Sequence, residues 1–333
     1  MMLDNLYQVL GKQAKFRIKQ ANRLIFQDLI SDWQAATVFP LALREELNKI
    51  CPLEINGQIF TAKNNQTRKA LITLSDGKKI ETVLLSHADN RRTVCLSSQI
   101  GCPLACQFCA TGQMGFERNL TAWEIVEQVL FWAQILQEKG KKITNLVFMG
   151  MGEPFLNYQN VWTAILWLND PEKFGLGARH ISISTCGIVE GINKLANEKL
   201  QVNLSISLHA ASESLRGQLM PINKKYSLAK VMSAVERYVA KTSRRVMFEY
   251  LLIKGVNDRP AQAEELAQLM RNNLFMVNLI KYNPTGRFAS SSSQTATKFM
   301  SILKSKGIAV TQRYSFGADI LAACGQLATK KKK

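Results

Sequence analysis

Beyond Arg92 the chain alternates short, β-branched apolar runs with amphipathic helical stretches, and few architectures accept that order. The runs "TVCLSSQI", "ITNLVFMG", "HISIST", "VNLSISLH", "RVMFEYLLI" and "VNLIKYN" predict six strands. Helical periodicity covers 122–138, 158–168, 189–199, 228–241, 261–272 and 295–306 between and after them. Strands joined by helical crossovers must lie parallel, so the expected class is α/β: a TIM-like partial (β/α)6 barrel, with "GIAVTQRY" adding a further strand. Polar residues collect where these strands end. Gly152-Glu153-Pro154 follows the second, Ser184-Thr185 closes the third, Ser207 and His209 the fourth, and Asn283 the sixth, while Gly255, Asn257 and Asp258 follow the fifth. Barrels of this class build their sites at the C-terminal ends of the strands, so these groups should face one mouth.

Ahead of the alternation the pattern differs. Up to about residue 55 the apolar positions Leu24, Ile25, Leu29 and Trp33 recur at helical spacing, with Lys12, Lys15, Arg17, Lys19 and Arg23 interleaved. From Gln58 to Ser86 the chain turns β-rich, with "ALITL" and "ETVLL" flanking the turn dipeptide Asp76-Gly77. The expected organisation is a basic helical accessory domain at 1–57, a β-hairpin extension at 58–90, the partial barrel at 91–316, and a C-terminal segment at 317–333 ending in four lysines. The serine run at 290–293 reads as a loop.

A chain of 333 residues buries a large core without metal support, and no apolar run is long enough to cross a bilayer. The N-terminal stretch lacks a signal-peptide h-region. Seven cysteines, an odd number, argue against a disulfide framework and for a reducing compartment, so a soluble cytoplasmic protein with no membrane contact is expected. Lys and Arg number 43 against 25 Asp and Glu, and the resulting +18 favours a polyanionic partner such as RNA.

Within "CPLACQFCAT", Cys102, Cys106 and Cys109 are separated by three and two residues. Thiols this close together hold a soft metal. A zinc-stabilised RNA-binding module without catalysis would take a fourth ligand from Cys95, Cys51, Cys186 or a histidine, although structural zinc usually recruits two separated pairs and no second pair exists here. An iron–sulfur cube on three thiolates would instead leave one iron open to a ligand.

The spacing C-x3-C-x2-C after the first barrel strand resembles the radical S-adenosylmethionine (SAM) superfamily, whose open iron receives the amino and carboxylate groups of SAM. "GMGEP" at 150–154 is similar to its motif for the SAM amino group. "CLSSQIGCPLACQFCATGQMGFERNL", "FMGMGEPFLN", "SLHAASESLRGQLMPIN", "FEYLLIKGVND", "YNPTG" and "GADILAACGQL" further resemble the RlmN family of ribosomal and transfer RNA adenine-C2 methyltransferases, over about 80–328, with Cfr-type C8 methyltransferases as near relatives.

That resemblance implies a radical SAM barrel holding a [4Fe-4S] cluster on Cys102, Cys106 and Cys109, and two SAM molecules used per turnover. SAM would be contacted by Gly152, Glu153, Ser184, Ser207, Leu208, His209 and Asn283. It implies methylation of adenosine 2503 in 23S rRNA and of adenosine 37 in some tRNAs, by a monomer fed by an external electron donor such as flavodoxin. Carbon 2 of adenine is electron-poor and cannot attack a sulfonium, so a carbon radical must be delivered to it. In the implied cycle Cys324 carries the methyl group, Glu81 accepts the C2 proton, and Cys95 resolves the protein–RNA adduct by forming a disulfide with Cys324. Cys51 and Cys186 have no role by resemblance and are expected to be packing residues. The short serine-rich loop at 287–293, and "RYSFGADI" without the adjacent acidic pair common in RlmN proteins, are departures that leave C8 methylation as the alternative.

Overall fold

In the computed structural model the described residues are 2–11, 14, 16–313 and 317–328, with side chains described from residue 5 onward. Lys12, Lys15, Tyr314 and the terminal lysine run lie outside them. Three helices open the chain: α1 (Met2–Leu10), α2 (Phe16–Phe26) and α3 (Leu41–Ile50). Strands β1 (Gly57–Thr61), β2 (Thr67–Thr73) and β3 (Lys79–Ser86) form an antiparallel meander. Then come β4 (Arg92–Cys95), β5 (Gln99–Gly101), α4 (Ala110–Gln113), β6 (Phe116–Asn119), α5 (Ala122–Gln137), β7 (Asn145–Phe148) and α6 (Tyr158–Asn169). They are followed by β8 (Ile181–Thr185), α7 (Val189–Leu195), β9 (Asn203–Ser207), α8 (Glu213–Leu219), α9 (Leu228–Thr242) and β10 (Val246–Leu252). The chain closes with α10 (Pro260–Leu269), β11 (Phe275–Lys281), α11 (Ser293–Ser305) and β12 (Val310–Arg313).

Ten strands share one open sheet in the order β1-β2-β3-β4-β7-β8-β9-β10-β11-β12. From β4 to β12 every pairing is parallel, so the expected α/β partial barrel forms and the late run supplies its last strand. The β-hairpin extension continues that same sheet, because β3 pairs antiparallel with β4 through Val83 opposite Cys95 and Leu84 opposite Val94. Several parallel strands alternate: Ile181, Ile183, Leu204 and Ile206 are buried in the core, while Ser184, Ser207 and Glu249 turn to the other face. Phe148, Phe248 and Tyr250 are fully buried, and α5 buries Trp132 and Ile125 behind a Thr121–Glu124 capping box. Trp33 of the N-terminal region joins this core and donates from Nε1 to the Cys51 carbonyl at 2.7 Å. Cys51 is fully buried, and burial pushes its thiol up to about 11.

Two local features differ from the sequence pattern. "TVCLSSQI" is not one strand: Ser97 donates from Oγ to the Glu81 carbonyl (2.6 Å) and from its amide to Gln128 Oε1 (2.8 Å), which pulls the chain out of the ladder after Cys95. Residues 99–101 then pair with β6 in a separate two-stranded sheet. A short extra helix, α8, also enters after β9, anchored by the fully buried Arg216. Among the described residues no helix is long and apolar enough to cross a membrane.

Candidate active site

The loop after β5 begins with a backbone constraint. Gly101 sits at φ +72°, and a Cβ there would lie 1.9 Å from the Gly115 carbonyl oxygen. Only glycine lets Cys102 N–H reach that carbonyl at 2.8 Å and turn the loop inward. Cys109 N–H then bonds the Cys106 carbonyl (3.1 Å), and the Phe108 ring meets the His209 imidazole edge-to-face at 4.7 Å.

Cys102, Cys106 and Cys109 line one cavity of about 140 Å³ at the C-terminal ends of the strands. Burial pushes the Cys102 and Cys109 thiols above the ordinary range, so as they stand they are held protonated. A bound iron cluster reverses that balance by supplying the positive charge that thiolates need. Among the described residues no three His, Cys, Asp or Glu side chains converge tightly enough to share a single ion. Three thiols on separate corners of one cavity suit a cluster, whereas a zinc ion would draw four donors to one point at ~2.3 Å.

Of the residues expected to hold SAM, Gly152, Glu153, Ser184, Ser207 and His209 line this cavity. Gly152, at φ +98°, packs where a Cβ would come within 2.6 Å of Gln99 Cβ. The Glu153 carboxylate is buried, and it accepts from Phe155 N–H (3.0 Å) and Cys186 N–H (2.7 Å). Ser184 Oγ and Ser207 Oγ are 3.3 Å apart. His209 Nδ1 accepts from Leu251 N–H (3.2 Å), which leaves the proton on Nε2. Burial, with the nearby Arg216 cation adding to it, pulls this imidazole down to about 3, so it stays a neutral donor. Leu208 and Asn283 are positioned differently. Leu208 is fully buried in the core, and its N–H donates to the Glu249 carbonyl at 3.0 Å; Asn283 Nδ2 donates to the Cys324 carbonyl at 3.3 Å.

Cys324 lines the same cavity as the three loop thiols. Cys95, at the end of β4, is buried close by. Its thiol is pushed up to about 12, by burial first and then by Cys324, with the Arg313 cation opposing. All seven cysteines are free thiols, so the Cys95–Cys324 disulfide implied for turnover is not formed. The segment that carries Cys324 is pinned on both sides. Ala110 N–H bonds the Gly325 carbonyl (2.8 Å), Thr111 Oγ1 the Leu327 carbonyl (2.6 Å), and Gln326 Nε2 the Pro284 carbonyl (3.2 Å).

Glu81 faces elsewhere. With Lys69, Phe60, Gln326 and Ala328 it lines a neighbouring cavity of about 420 Å³. Its carboxylate pairs with Lys69 Nζ at 2.8 Å and accepts from Ala328 N–H at 2.8 Å. Segment 324–328 is therefore a partition: Cys324, Gly325 and Leu327 face the thiol cavity, Gln326 and Ala328 the other.

Three further residues belong to the thiol cavity: Cys186, Glu249 and Arg313. Cys186 was readable from its position just after the polar end of β8, and its thiol is pushed well above the ordinary range, first by the neighbouring Cys106 and then by burial. Glu249 and Arg313 lie within apolar runs and carry no local signal. In the N-terminal region Arg17 donates to the Val38 carbonyl (2.6 Å), while Lys19 pairs with Glu172 (2.9 Å) on the surface.

An open parallel half-barrel with a three-thiol loop at its mouth defines a radical SAM enzyme, and the model described as the radical SAM superfamily matches residues 96–270. A radical SAM methyltransferase from Sphaerobacter thermophilus, 43% identical, superposes with a TM-score of 0.95 over 99% of this chain and 98% of its own. A Chloroflexus aurantiacus protein named "Probable dual-specificity RNA methyltransferase RlmN" is 46% identical over 98% of this chain and 90% of its own length. A Nitrosopumilus maritimus protein named "Ribosomal RNA large subunit methyltransferase N" is 48% identical over 95% and 93%. The chain belongs to the RlmN family of radical SAM RNA methyltransferases. Its cofactors are a [4Fe-4S] cluster and SAM.

Proposed function

We infer that this enzyme methylates carbon 2 of adenosine 2503 in 23S rRNA and of adenosine 37 in some tRNAs, working as a cytoplasmic monomer with an external electron donor such as flavodoxin. Cys102, Cys106 and Cys109 hold the cluster, and Gly152, Glu153, Ser184, Ser207, Leu208, His209 and Asn283 form the SAM site. The basic region 1–57 and the extension 58–90 grip RNA beside the barrel, neutralising backbone phosphates. When bound, the cluster and two SAM molecules supply one methyl group and one hydrogen-abstracting radical per turnover.

The chain's own residues do the rest. Cys324 accepts the methyl group on sulfur and loses its thiol proton; after a hydrogen atom is removed, the methylene carbon bonds to adenine C2. Glu81 takes the C2 proton. Cys95, as a thiolate, then attacks the Cys324 sulfur, so that an S–S bond forms as the S–CH2 bond breaks and the departing carbon takes up a proton to become the methyl group; the one electron left over from radical addition would return to the cluster. Because Glu81 and Cys324 line different cavities across segment 324–328, we place a shift of that segment in the cycle.

The single observation that carries this reading is Cys324 on the wall of the cavity that the three loop thiols line. It is tested by treating 23S rRNA with the anaerobically reconstituted enzyme and analysing nucleosides by mass spectrometry, with Cys324→Ala alongside. The expected product is 2-methyladenosine, and Cys324→Ala should retain iron but give none. Finding 8-methyladenosine would overturn the C2 assignment, and loss of iron in Cys324→Ala would make this cysteine a ligand instead of a carrier.

A further inference from the structure

One polar row runs across the sheet into the thiol cavity, which Ser184, Ser207 and Glu249 line. Ser207, Glu249, Asn278 and Thr311 are register neighbours on β9, β10, β11 and β12. Ser184 joins the row through its hydroxyl, 3.3 Å from Ser207 Oγ. Asn278 Nδ2 donates to Glu249 Oε2 at 2.8 Å, and Thr311 Oγ1 donates to Asn278 Oδ1 at 3.2 Å, which fixes the amide's orientation and commits one carboxylate oxygen. The other oxygen is committed to nothing. Glu249 is 3% exposed, lines the cavity, and its Oε1 is buried without a hydrogen-bond partner. A buried carboxylate oxygen left in this state is unfavourable unless something enters the cavity to bond it.

We propose that Glu249 is a ligand-binding residue of this cavity, accepting through Oε1 a hydrogen bond from a ribose hydroxyl of the bound nucleoside. The inference rests on the reading of the cavity as the SAM site. Position along the strands selects the ribose. Cys186 and His209, which lie beside the loop residues Cys106 and Phe108, come two residues after Ser184 and Ser207, so the row lies further back along the strands than the thiol loop. A ligand whose amino-acid end meets the loop therefore presents its sugar to the row. The chemistry agrees: an ionised carboxylate only accepts, a serine hydroxyl both donates and accepts, and a sugar diol can donate to Glu249 while accepting from Ser207. Burial raises the Glu249 carboxyl, and the Arg313 cation on the same wall opposes that rise and favours the accepting form.

The test is calorimetric titration of the cluster-loaded protein with S-adenosylhomocysteine and with its 2′-deoxy and 3′-deoxy analogues, for the wild type, Glu249→Gln and Glu249→Ala. The wild type should prefer the parent ligand over at least one deoxy analogue by about tenfold, the yield of one hydrogen bond to a charged acceptor. In Glu249→Ala that preference should shrink to within about twofold, with Glu249→Gln intermediate. Iron content should hold in both variants, and Glu249→Gln, whose amide oxygen can still accept from Asn278 Nδ2, should also keep the ligand-free melting temperature. A preference that persists in Glu249→Ala, or a wild type indifferent to both hydroxyls, overturns the proposal. So does a lowered ligand-free melting temperature in Glu249→Gln with all three ligands weakened equally, which would mark Glu249 as a framework residue. A wild type that binds none of the ligands fails differently, because it removes the SAM assignment of the cavity itself.

Discussion

The two cavities on either side of the Cys324–Ala328 partition treat charge in opposite ways. In the outer one, Lys69 and Glu81 are both buried, yet each is answered by the chain: Nζ to carboxylate at 2.8 Å, and the second carboxylate oxygen by Ala328 N–H. In the thiol cavity the chain leaves particular groups unanswered, although Glu153 and His209 are bonded. Burial holds Cys102 and Cys109 as thiols with no cation to ionise them, and Glu249 Oε1 has no partner. A self-satisfied site is rigid and must be opened to act, whereas an unsatisfied one is completed by what binds in it. Segment 324–328 thus keeps a cavity that must be completed from outside apart from a pocket that the chain completes by itself.

Breaking the unsatisfied side should have the larger effect. Cys106→Ala removes one corner of the cage, and anaerobic reconstitution should then incorporate almost no iron, with methyl transfer lost entirely. Iron analysis and the visible absorbance of the reconstituted protein check this. Retention of a full cluster would mean that Cys186, which lines the same cavity as Cys106, serves as a ligand, and the cage would have to be redrawn.

Breaking the satisfied side should leave the cluster intact and damage the fold. Lys69→Met strands the Glu81 carboxylate in a buried site, which costs about 3 kcal/mol because an uncompensated charge is worse than none. The double variant Lys69→Met/Glu81→Gln should recover most of that loss in chemical denaturation, since neither group then needs a counter-charge. If the single variant is as stable as the wild type, the pair contributes nothing to folding and the contrast between the cavities fails.

Much of this arrangement was legible in the sequence. The strand–helix alternation specified the parallel half-barrel, since crossovers leave no other pairing, and strand ends marked by Glu153, Ser184, Ser207 and His209 pointed to one mouth. What escaped was set by tertiary pairing. Nothing local says that β3 lies against β4 and so extends the barrel sheet, because the register depends on residues such as Val83 and Cys95 meeting across the chain. Ser97 and Ser98 ended β4 early through bonds to Gln128 and Met151, partners too distant for periodicity to reveal. Glu249 and Arg313 were hidden because single polar residues inside apolar runs read as surface positions, while here they face a cavity. The separation of Glu81 from the thiol cavity was equally invisible, since motif order along the chain carries no information about which wall a side chain faces.

The same contrast between answered and unanswered carboxylates recurs on α5, where its effect is smaller and depends on pH. Glu124 accepts from Arg118 Nη2 at 2.7 Å and closes the capping box, whereas Glu127, one turn on, has only the Trp123 Nε1 donor at 2.6 Å. Burial raises Glu127 from 4.5 to about 7, with the Trp123 bond opposing and the Glu124 charge reinforcing. Between these values the folded chain binds a proton that the unfolded chain has released, so this group's stabilising contribution is present below pH 4.5 and is lost as pH rises through 7. The loss should be on the order of 2 kcal/mol, discounted because the residue is partly exposed. Glu127→Gln should abolish it: denaturation midpoints of wild type and variant, measured from pH 4.5 to 8, should diverge as pH rises, with the variant the more stable at the alkaline end. Other carboxylates titrate in both proteins and cancel in the difference. Parallel curves would show that Glu127 is as well answered as Glu124, and would confine unanswered charge to the thiol cavity.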